Sequence, residues 1–389
     1  MKANETVRLG IIGVGNMGGS HAKKILAGEV PGMTLCAVCD QDPKRLKTFA
    51  DEASVSTFES PDAFFAGAEV DAVLIATPHY DHTTLGITAL GKGYHVLVEK
   101  PISVHKADCE RLIAAYNDKR KHFAAMFNQR TDPRYQKLRK LIQEGELGTV
   151  KRIQWTITDW FRTDFYYQSG GWRATWAGEG GGVLLNQCPH QLDLWQWLFG
   201  MPSKVRAHCT LGKYHDIEVE DDVTAYMEYD NGCTGVFITT TGEAPGTNRL
   251  EVAGDRGKVV IEGTTFLFTR NEVPTTEHCR TAKTGFSCPD IWNVDIPVSG
   301  YGEQHVGILK NFAKAILEGV PLVAQAEEGI HSVELGNAML YSGLTDQTVT
   351  LPMDGSVYEA FLKEKIATST FQKKTVDAGV SADDFSKSF

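Results

Sequence analysis

Residues 7–26 have the sequence "VRLGIIGVGNMGGSHAKKIL", in which an apolar strand runs into a glycine-rich turn and then into a helical pattern. The turn carries the predicted phosphate contacts in the spacing G-x-G-x-x-G: Gly13, Gly15, Asn16, Met17 and Gly18. Between a strand and a helix, this spacing is the fingerprint of a dinucleotide-binding fold. Gly13 permits the tight turn, Gly15 lets a pyrophosphate approach the backbone, and Gly18 lets the helix pack on the strand.

The next strand pattern, "TLCAVCD" over residues 34–40, ends in an acidic residue. Asp40 follows the glycine turn by about twenty residues, where a carboxylate accepts hydrogen bonds from both ribose hydroxyls of NAD. Gln41 and Asp42 come next, and the first arginine after them is Arg45. Because a 2′-phosphate would meet negative charge there, the sequence predicts NAD rather than NADP.

Three further apolar runs alternate with helical patterns, namely "VDAVLIATP" (70–78), "HVLVEK" (95–100) and "FAAMFNQR" (123–130). This alternation predicts a doubly wound parallel sheet, so residues 1–127 are expected to form an NAD-binding Rossmann domain. Ligands of such sheets bind beyond the carboxyl ends of the strands. Two such ends, "ATPHYDH" and "EKP", supply the remaining predicted cofactor contacts: Thr77, Pro78, His79, His82, Glu99 and Lys100.

Lys100 stands in the triplet Glu99-Lys100-Pro101. The proline keeps the lysine out of helical geometry. A lysine held beside a nicotinamide can take or hold the proton of a hydroxyl that is being oxidised. Taken alone, the triplet favours a solvated lysine at a strand end, so a catalytic role depends on the rest of the chain.

A second polar pattern lies in "GEGGGVLLNQCPHQLDLWQWLFG", residues 178–200. Asn186, His190 and Asp193 are four and three residues apart, which predicts that they share one face of a helix beginning near Gly182. The opposite face is predicted to be core: Leu185, Leu192, Trp195 and Leu198. A buried helix with satisfied polar groups fits this stretch as well as a functional site does.

Composition limits the class of protein. The 389 residues are too many for one ordinary core, so two domains are expected. The net charge of −10, without a long basic cluster, argues against a nucleic-acid partner. No apolar segment precedes the first strand and no run approaches membrane-spanning length, so no membrane association and a cytoplasmic location are expected. The 8 cysteines lack the spacing of a zinc module or disulfide scaffold, which predicts reduced thiols.

From residue 151 the chain changes to alternating strand patterns linked by turns. These patterns predict an α/β domain over residues 128–367, with a large, mostly antiparallel open sheet that has helices on one face. Helical periodicity returns over residues 302–319 and 326–344, and these helices are expected near the domain junction. Residues 368–389 are predicted to be a polar C-terminal tail.

The segment "DWFRTDFYYQSGGWRATWAGEGGG", residues 159–182, has too many glycines for a regular element and too many aromatic residues for a spacer. Sugar pockets need flat apolar walls and a few fixed donors, which this segment can supply. Buried packing is the alternative for each tryptophan. The predicted substrate contacts are Trp160, Arg162, Tyr166, Trp172, Arg173 and Asn186. His305 and Arg130 are weaker candidates, and for Arg130 a structural role is favoured.

The glycine turn, Asp40, "TPHYDH", "EKP" and a glycine-run helix ending in H-x-x-D occur in one order along nearly the whole chain. In this combination the chain resembles the glucose-fructose oxidoreductase and inositol dehydrogenase family (Gfo/Idh/MocA). The resemblance implies an NAD(P)-dependent enzyme with a Rossmann domain and an α/β domain whose open sheet carries substrate contacts and oligomer interfaces. It also implies that Lys100 and His190 are catalytic and that the protein is a homo-oligomer, a dimer or tetramer.

One motif departs from that family, whose pattern usually reads G-G-G-x-L-x-D-x-G-x-H-x-x-D. This chain has Asn186 for the first aspartate and Cys188 for the following glycine. Because an amide cannot ionise, Asn186 can orient a sugar hydroxyl but cannot share a proton, which leaves proton transfer to Lys100 and His190. Asp193 is expected to orient the helix or the imidazole, with an exposed helix carboxylate as the alternative. No further ligand stands near the C-x-H pair, so no metal is predicted.

The sequence thus predicts an NAD-dependent oxidoreductase that oxidises or reduces a secondary alcohol of a sugar, glycoside or cyclitol. One alternative is an enzyme that keeps NAD bound and uses transient oxidation for bond cleavage or oxidant exchange between sugars. Another is a nucleotide-binding sensor without chemistry, against which the presence of both Lys100 and His190 argues.

Overall fold

The computed structural model describes residues 6–50 and 54–376. Over these residues the first sheet has six strands: β1 (Val7–Ile12), β2 (Met33–Cys39), β3 (Ser56–Phe58), β4 (Ala72–Ile75), β5 (His95–Val98) and β6 (Phe123–Ala125). Their order is β3-β2-β1-β4-β5-β6, and every neighbouring pair is parallel. The sheet is the predicted doubly wound one, with its order reversing between β1 and β4.

Continuous apolar runs form this sheet because helices shield both of its faces. All residues of β4 are buried, as are those of β6. The connecting helices are α1 (Asn16–Leu26), α2 (Pro43–Ala50), α3 (Pro61–Gly67), α4 (His79–Gly91) and α5 (Lys106–Ala114). Ser60 and His105 end the loops before α3 and α5 by accepting hydrogen bonds from backbone amides of the first turn.

The second sheet has nine strands within the described part of the chain: β7 (Val150–Ile157), β8 (Lys204–Leu211), β9 (Glu220–Glu228), β10 (Thr234–Thr240), β11 (Asn248–Gly254), β12 (Gly257–Glu262), β13 (Thr265–Asn271), β14 (Ile291–Val294) and β15 (Val349–Thr350). Their order is β14-β13-β12-β11-β7-β10-β9-β8-β15. The pair β7–β10 is parallel and the other pairs are antiparallel, as the predicted mostly antiparallel sheet requires.

One face of this sheet is apolar and covered. In β9 the side chains of Val223, Ala225 and Met227 are buried, whereas Thr224 and Tyr226 between them are exposed. The buried side packs against helices from later and earlier in the chain: α6 (Pro133–Gln143), α8 (Pro189–Phe199), α11 (Gly329–Thr345) and α12 (Gly355–Thr368). Two short helices, α7 (Asp164–Gln168) and α9 (Thr275–Thr281), lie in loops.

Helix α10 (Gln304–Glu318) packs on the first sheet, although it comes after most of the second. Its Ile308, Leu309 and Phe312 are buried in the same cluster as Leu9 of β1. The first core is therefore completed by residues beyond position 127, and the placement of both helices at a domain junction stays a prediction. The domain boundaries themselves stay predictions, and residues 377–389 of the predicted tail lie outside the described residues.

The motif stretch differs from its predicted form. Residues 178–188 form turns and α8 begins at Pro189, so the helix does not start near Gly182 as the spacing predicted. The carboxylate of Glu220 accepts hydrogen bonds from the amides of Gly182 and Leu184, at 2.8 and 3.0 Å. A Cβ at Gly182 would lie 2.0 Å from the carbonyl oxygen of Glu220, so this close approach requires glycine.

Asp193, for which an exposed helix carboxylate was the alternative, is buried in an ion pair. Its carboxylate accepts two hydrogen bonds from the Arg130 guanidinium, at 2.6 and 2.7 Å, and both side chains are 1% exposed. Arg130 also donates to Glu328 and to the carbonyl oxygen of Val323. The structural role predicted for Arg130 is confirmed, and the pair ties α8 to the chain that leaves the first sheet.

No helix in the described ranges, 6–50 and 54–376, is long and apolar enough to span a bilayer.

Replacing Asp193 with asparagine is expected to lower the free energy of unfolding by about 3–5 kcal/mol, because the buried Arg130 charge loses its main counter-ion. Urea denaturation of the two proteins measures this loss. Asp346→Asn is the matched control, because Asp346 also pairs with an arginine, Arg206, but is 86% exposed; it should cost at most about 1 kcal/mol. Equal losses for both variants would contradict the prediction.

Candidate active site

A cavity of about 1110 Å³ lies between the carboxyl ends of the first sheet and the loops of the second. It brings together most of the predicted site residues: Gly15, Asn16, Met17, Thr77, His79, His82, Glu99, Lys100, Trp160, Arg162, Tyr166, Trp172, Arg173, Asn186, His190 and His305. Gly13, Gly18, Asp40 and Pro78 stand behind this lining. The cofactor and substrate residues predicted from separate motifs therefore face one space.

The glycine turn has the shape that a dinucleotide requires. Gly13 has φ +90°, and Gly18 packs so closely that a Cβ there would lie 1.8 Å from the carbonyl oxygen of Gly13. A Cβ at Gly15 would instead have only the Arg45 guanidinium nearby, at 3.5 Å, so this position opens into the cavity. The turn thus leaves room for phosphates at the start of α1, where amides point outward.

Asp40 is held rigidly at the end of β2. Its two carboxylate oxygens accept hydrogen bonds from the amides of Val14 and Asp42, both at 2.9 Å. Helix α2 also brings Arg45 back to it, with Nη1 3.3 Å from Asp40 Oδ2. The preference for NAD was predicted with Arg45 apart from Asp40. In the structure the two side chains are in contact, because the first turn of α2 brings Arg45 back toward the end of β2.

Lys100 reaches from the end of β5 into the second half of the site. Its Nζ donates a 2.9 Å hydrogen bond to the backbone carbonyl oxygen of Asn186, and its own amide donates to Glu99 Oε2 at 3.1 Å. Burial lowers the pKa of the Lys100 ammonium below its usual value. The alternative of a solvated strand-end lysine is therefore wrong.

Glu99 is buried and anchored by a histidine that the sequence analysis missed. Burial raises the pKa of Glu99, but the 2.7 Å hydrogen bond from His21 Nε2 and the nearby charges of His21, His305 and Lys100 together lower it to about 2. The His305 ring lies 5.4 Å from the His21 ring. His21 is fully buried on α1, and a histidine on the apolar face of a helix was the available signal.

His190 lies in the first turn of α8 and faces the cavity. It is 4% exposed, and neither ring nitrogen has a hydrogen-bond partner among the described residues. Burial lowers its pKa well below the usual histidine value, so the imidazole is neutral. Asp193 does not orient this ring, contrary to one expectation, because Arg130 holds the carboxylate elsewhere.

The two predicted histidines of "TPHYDH" have different surroundings. The ring nitrogens of His82 lie 2.8 and 2.9 Å from the backbone oxygens of Pro101 and Thr77, and the nitrogen that carries the proton donates to its carbonyl, so the ring links the ends of two strands. His79 has Nδ1 3.3 Å from the carbonyl oxygen of Glu179 and packs edge-on against Trp172. His82 thus links the residues that follow β4 and β5, whereas His79 contacts the loops of the second domain.

The aromatic loop forms the far wall of the cavity. Arg173 donates a 2.9 Å hydrogen bond to the Tyr166 hydroxyl, and its guanidinium lies 4.7 Å from the centroids of the Tyr166 and Trp172 rings. Arg162 lies 5.1 Å from the Tyr166 ring on the same loop. Stacking of this kind fixes guanidinium groups in place. The buried Trp160 indole nitrogen has no partner within the described residues.

Glu179 is a second residue that the sequence analysis missed. One carboxylate oxygen accepts from the Asn186 side-chain amide, and the other accepts from the amide of Ala174 at 2.6 Å. Burial raises the pKa of this carboxyl group. A carboxylate alone within a run of glycines was the signal, because such a residue has few reasons to be there besides a specific contact.

The segment after α12 also reaches the site. Lys373 Nζ donates a 2.6 Å hydrogen bond to the carbonyl oxygen of Tyr167. The amide of Val376 donates a 3.1 Å hydrogen bond to the carbonyl oxygen of Gln168. Thr375 and Val376 line the cavity. The part of the predicted tail that the structure describes is therefore packed along the aromatic loop, which its polar composition did not indicate.

The cysteine that raised the question of a metal has another contact. Cys188 of the C-x-H pair is buried with its Sγ 3.1 Å from Thr239 Oγ1. Among the residues that the structure describes, no group of three or more histidine, cysteine, aspartate or glutamate side chains could hold a metal ion.

Comparison with known families decides the relationship. The NAD-binding Rossmann profile of an oxidoreductase family matches residues 7–127, and the GFO/IDH/MocA C-terminal domain matches residues 135–260. The chain belongs to the Gfo/Idh/MocA oxidoreductase family. It is an NAD-dependent oxidoreductase, as the sequence predicted.

Relatives of this Gfo/Idh/MocA protein match over most of their length. Inositol 2-dehydrogenase of Rhizobium meliloti is 25% identical over 344 residues, which cover 87% of this chain and 97% of that protein. Levoglucosan dehydrogenase of Pseudarthrobacter phenanthrenivorans is 24% identical over 392 residues, covering 90% and 99%. The structure of the WlbA dehydrogenase from Chromobacterium violaceum, in complex with NADH and UDP-GlcNAcA, has a TM-score of 0.76 and 26% identity, covering 90% and 97%.

The Asp40–Arg45 pair of this Gfo/Idh/MocA protein predicts how its cofactor preference can be changed. Asp40→Ser removes the charge that repels a 2′-phosphate and releases Arg45 to bind it. The Kd for NADPH relative to that for NADH should fall about 10- to 100-fold, the range expected of a charge-assisted hydrogen bond. Fluorescence titration with each nucleotide measures it. The gain must disappear in Asp40→Ser/Arg45→Met; a gain that persists there would mean that Arg45 is not responsible.

Lys373→Ala is expected to loosen the aromatic loop and to raise the KM for substrate about 3- to 10-fold, because one hydrogen bond that holds the loop is lost. The Kd for NADH should stay constant, since Lys373 contacts the substrate end. Lys374→Ala is the control, because its partner Asp216 is exposed and lies away from the cavity lining. Steady-state kinetics measure the KM for substrate in both variants. An equal rise in KM for both would disprove a specific role for Lys373.

Proposed function

We propose that this protein is an NAD-dependent dehydrogenase of a secondary alcohol in a sugar, glycoside or cyclitol. The observation that carries the proposal is a partly buried lysine and a buried, unpartnered histidine facing one cavity: Lys100 and His190. Relatives whose names specify inositols and levoglucosan agree with a polyhydroxylated substrate.

Lys100 and His190 have different roles: one accepts the proton and the other positions the hydroxyl group. Burial favours the neutral amine of Lys100, whose hydrogen bond to the Asn186 carbonyl oxygen aims Nζ into the cavity. Nζ accepts the hydroxyl proton of the substrate. His190 is neutral and has an available ring nitrogen, so it holds the same hydroxyl in place by a hydrogen bond. Bound NAD supplies the acceptor for the hydride that leaves the alcohol carbon.

The opposite wall suits a ring with several hydroxyl groups. Trp160 and Trp172 offer flat apolar surfaces for C–H faces, while Arg173 and Tyr166 offer fixed polar atoms beside them. Asn186 lies between this wall and Lys100 and binds a neighbouring hydroxyl. The homo-oligomeric assembly and the cytoplasmic location that the sequence suggests stay predictions.

Lys100→Met should lower kcat about 10²- to 10⁴-fold without changing the Kd for NADH, because a methionine has similar length but cannot accept a proton. Formation of NADH is followed by absorbance with myo-inositol, scyllo-inositol, levoglucosan, methyl glucosides and glucose. In the wild type, oxidation should accelerate as pH rises through the Lys100 pKa, since the neutral amine is the active form. Burial places that rise below the pH of about 10.4 expected for an exposed lysine.

The same assay separates the proposal from its alternatives. An enzyme that keeps NAD bound and returns the hydride would convert substrate without accumulating NADH. A sensor would bind NADH and turn over none of the alcohols. Near-normal kcat in Lys100→Met would disprove the role assigned to this lysine.

A further inference from the structure

Glu179 lies in the motif loop, residues 178–188, and hydrogen-bonds to the side chain of Asn186, yet neither the sequence pattern nor the proposed chemistry uses it. It is 1% exposed. Each of its two oxygens faces one N–H donor, the side-chain amide of Asn186 and the backbone amide of Ala174. Each carboxylate oxygen therefore already accepts one hydrogen bond from the protein.

This arrangement determines which way the Asn186 amide points. The NH₂ group of Asn186 donates to Glu179 Oε1 and therefore faces that carboxyl group. The amide oxygen then turns to the other side, where it lies 3.4 Å from the Tyr166 hydroxyl and borders the cavity. The backbone carbonyl of the same residue accepts the hydrogen bond from Lys100. Asn186 therefore presents acceptor oxygens to the site.

We propose that Glu179 is a positioning residue that holds the Asn186 amide oxygen toward the substrate, so that the site selects an alcohol with a hydroxyl donor next to the reacting carbon. The inference rests on the proposed function, since it concerns the substrate of that reaction. A carbonyl or ether oxygen at that point of the substrate would meet the amide oxygen, acceptor against acceptor, and would be disfavoured.

A hydrogen-bond swap tests the proposal. In Glu179→Gln a single oxygen faces two donors, so the amide of residue 186 loses its partner and turns. In Asn186→Asp two carboxylates meet, and one of them must take up a proton. In the double variant Glu179→Gln/Asn186→Asp, the side-chain oxygen of the introduced glutamine accepts from Ala174 and its NH₂ donates to the introduced aspartate. That variant again leaves an acceptor oxygen toward the cavity.

Each single variant is expected to lower kcat/KM about 10- to 100-fold for the panel alcohol that the wild type oxidises fastest. The double variant should recover at least about tenfold over the lower single variant. Thermal unfolding of all variants checks that they fold. Glu220→Gln is the control, because this equally buried carboxylate holds the same loop through Gly182 and Leu184 without touching the Asn186 side chain; Asn186→Asp must not rescue it.

The possible outcomes distinguish failure of the role proposed for Glu179 from failure of the proposed dehydrogenase function. If the wild type oxidises alcohols of the panel and the effects of the two substitutions on kcat/KM simply multiply, Glu179 does not position Asn186 and this inference is overturned alone. If Asn186→Asp rescues Glu220→Gln as well, the recovery is a loop effect and the inference is again overturned. If the wild type oxidises none of the alcohols, the proposed function fails and this inference fails with it.

Discussion

The hydrogen bond from Lys100 Nζ to the carbonyl oxygen of Asn186 joins the two halves of the molecule at the site. The lysine comes from the end of a parallel strand in the first sheet, and the carbonyl belongs to a turn that leads into a helix on the second. Each half alone presents only part of a site, with a glycine turn on one side and an aromatic wall on the other. The position of this lysine therefore determines where an alcohol can meet the cofactor end of the cavity.

Buried charge around that contact is held by matched partners. Glu99 is paired with His21, Asp193 with Arg130, and Glu220 with two backbone amides of the motif loop. A buried charge without such a partner is strongly destabilising, so these contacts constrain the loop and the strand ends at once. Lys100 and His190 differ from these paired groups, because burial lowers their pKa values and favours the uncharged side chains. Neutral nitrogen atoms in the cavity are what removal of a proton from an alcohol requires.

The motifs identified most of the residues that meet at the site because they are local. The glycine turn, Asp40 and the "EKP" triplet follow strands whose carboxyl ends must share one edge of a parallel sheet, which places them together without further information. Residues found only in the structure act across the chain. His21 meets Glu99 from 78 positions away, and Lys373 meets Tyr167 from 206. No spacing in the sequence encodes such contacts, and the polar composition of the last segment predicted a tail instead.

The sequence by itself determined the two sheets, the order of the motifs along their strands and the residues proposed to carry the chemistry, because strand periodicity and glycine spacing follow from backbone geometry. Only the tertiary structure decided the directions of the polar side chains. Asn186 and Asp193 have helical spacing, yet the chain turns before Pro189, and Arg130 binds Asp193 outside the cavity lining. Burial and the available partners, set by distant parts of the chain, fix those directions, and a local pattern contains neither.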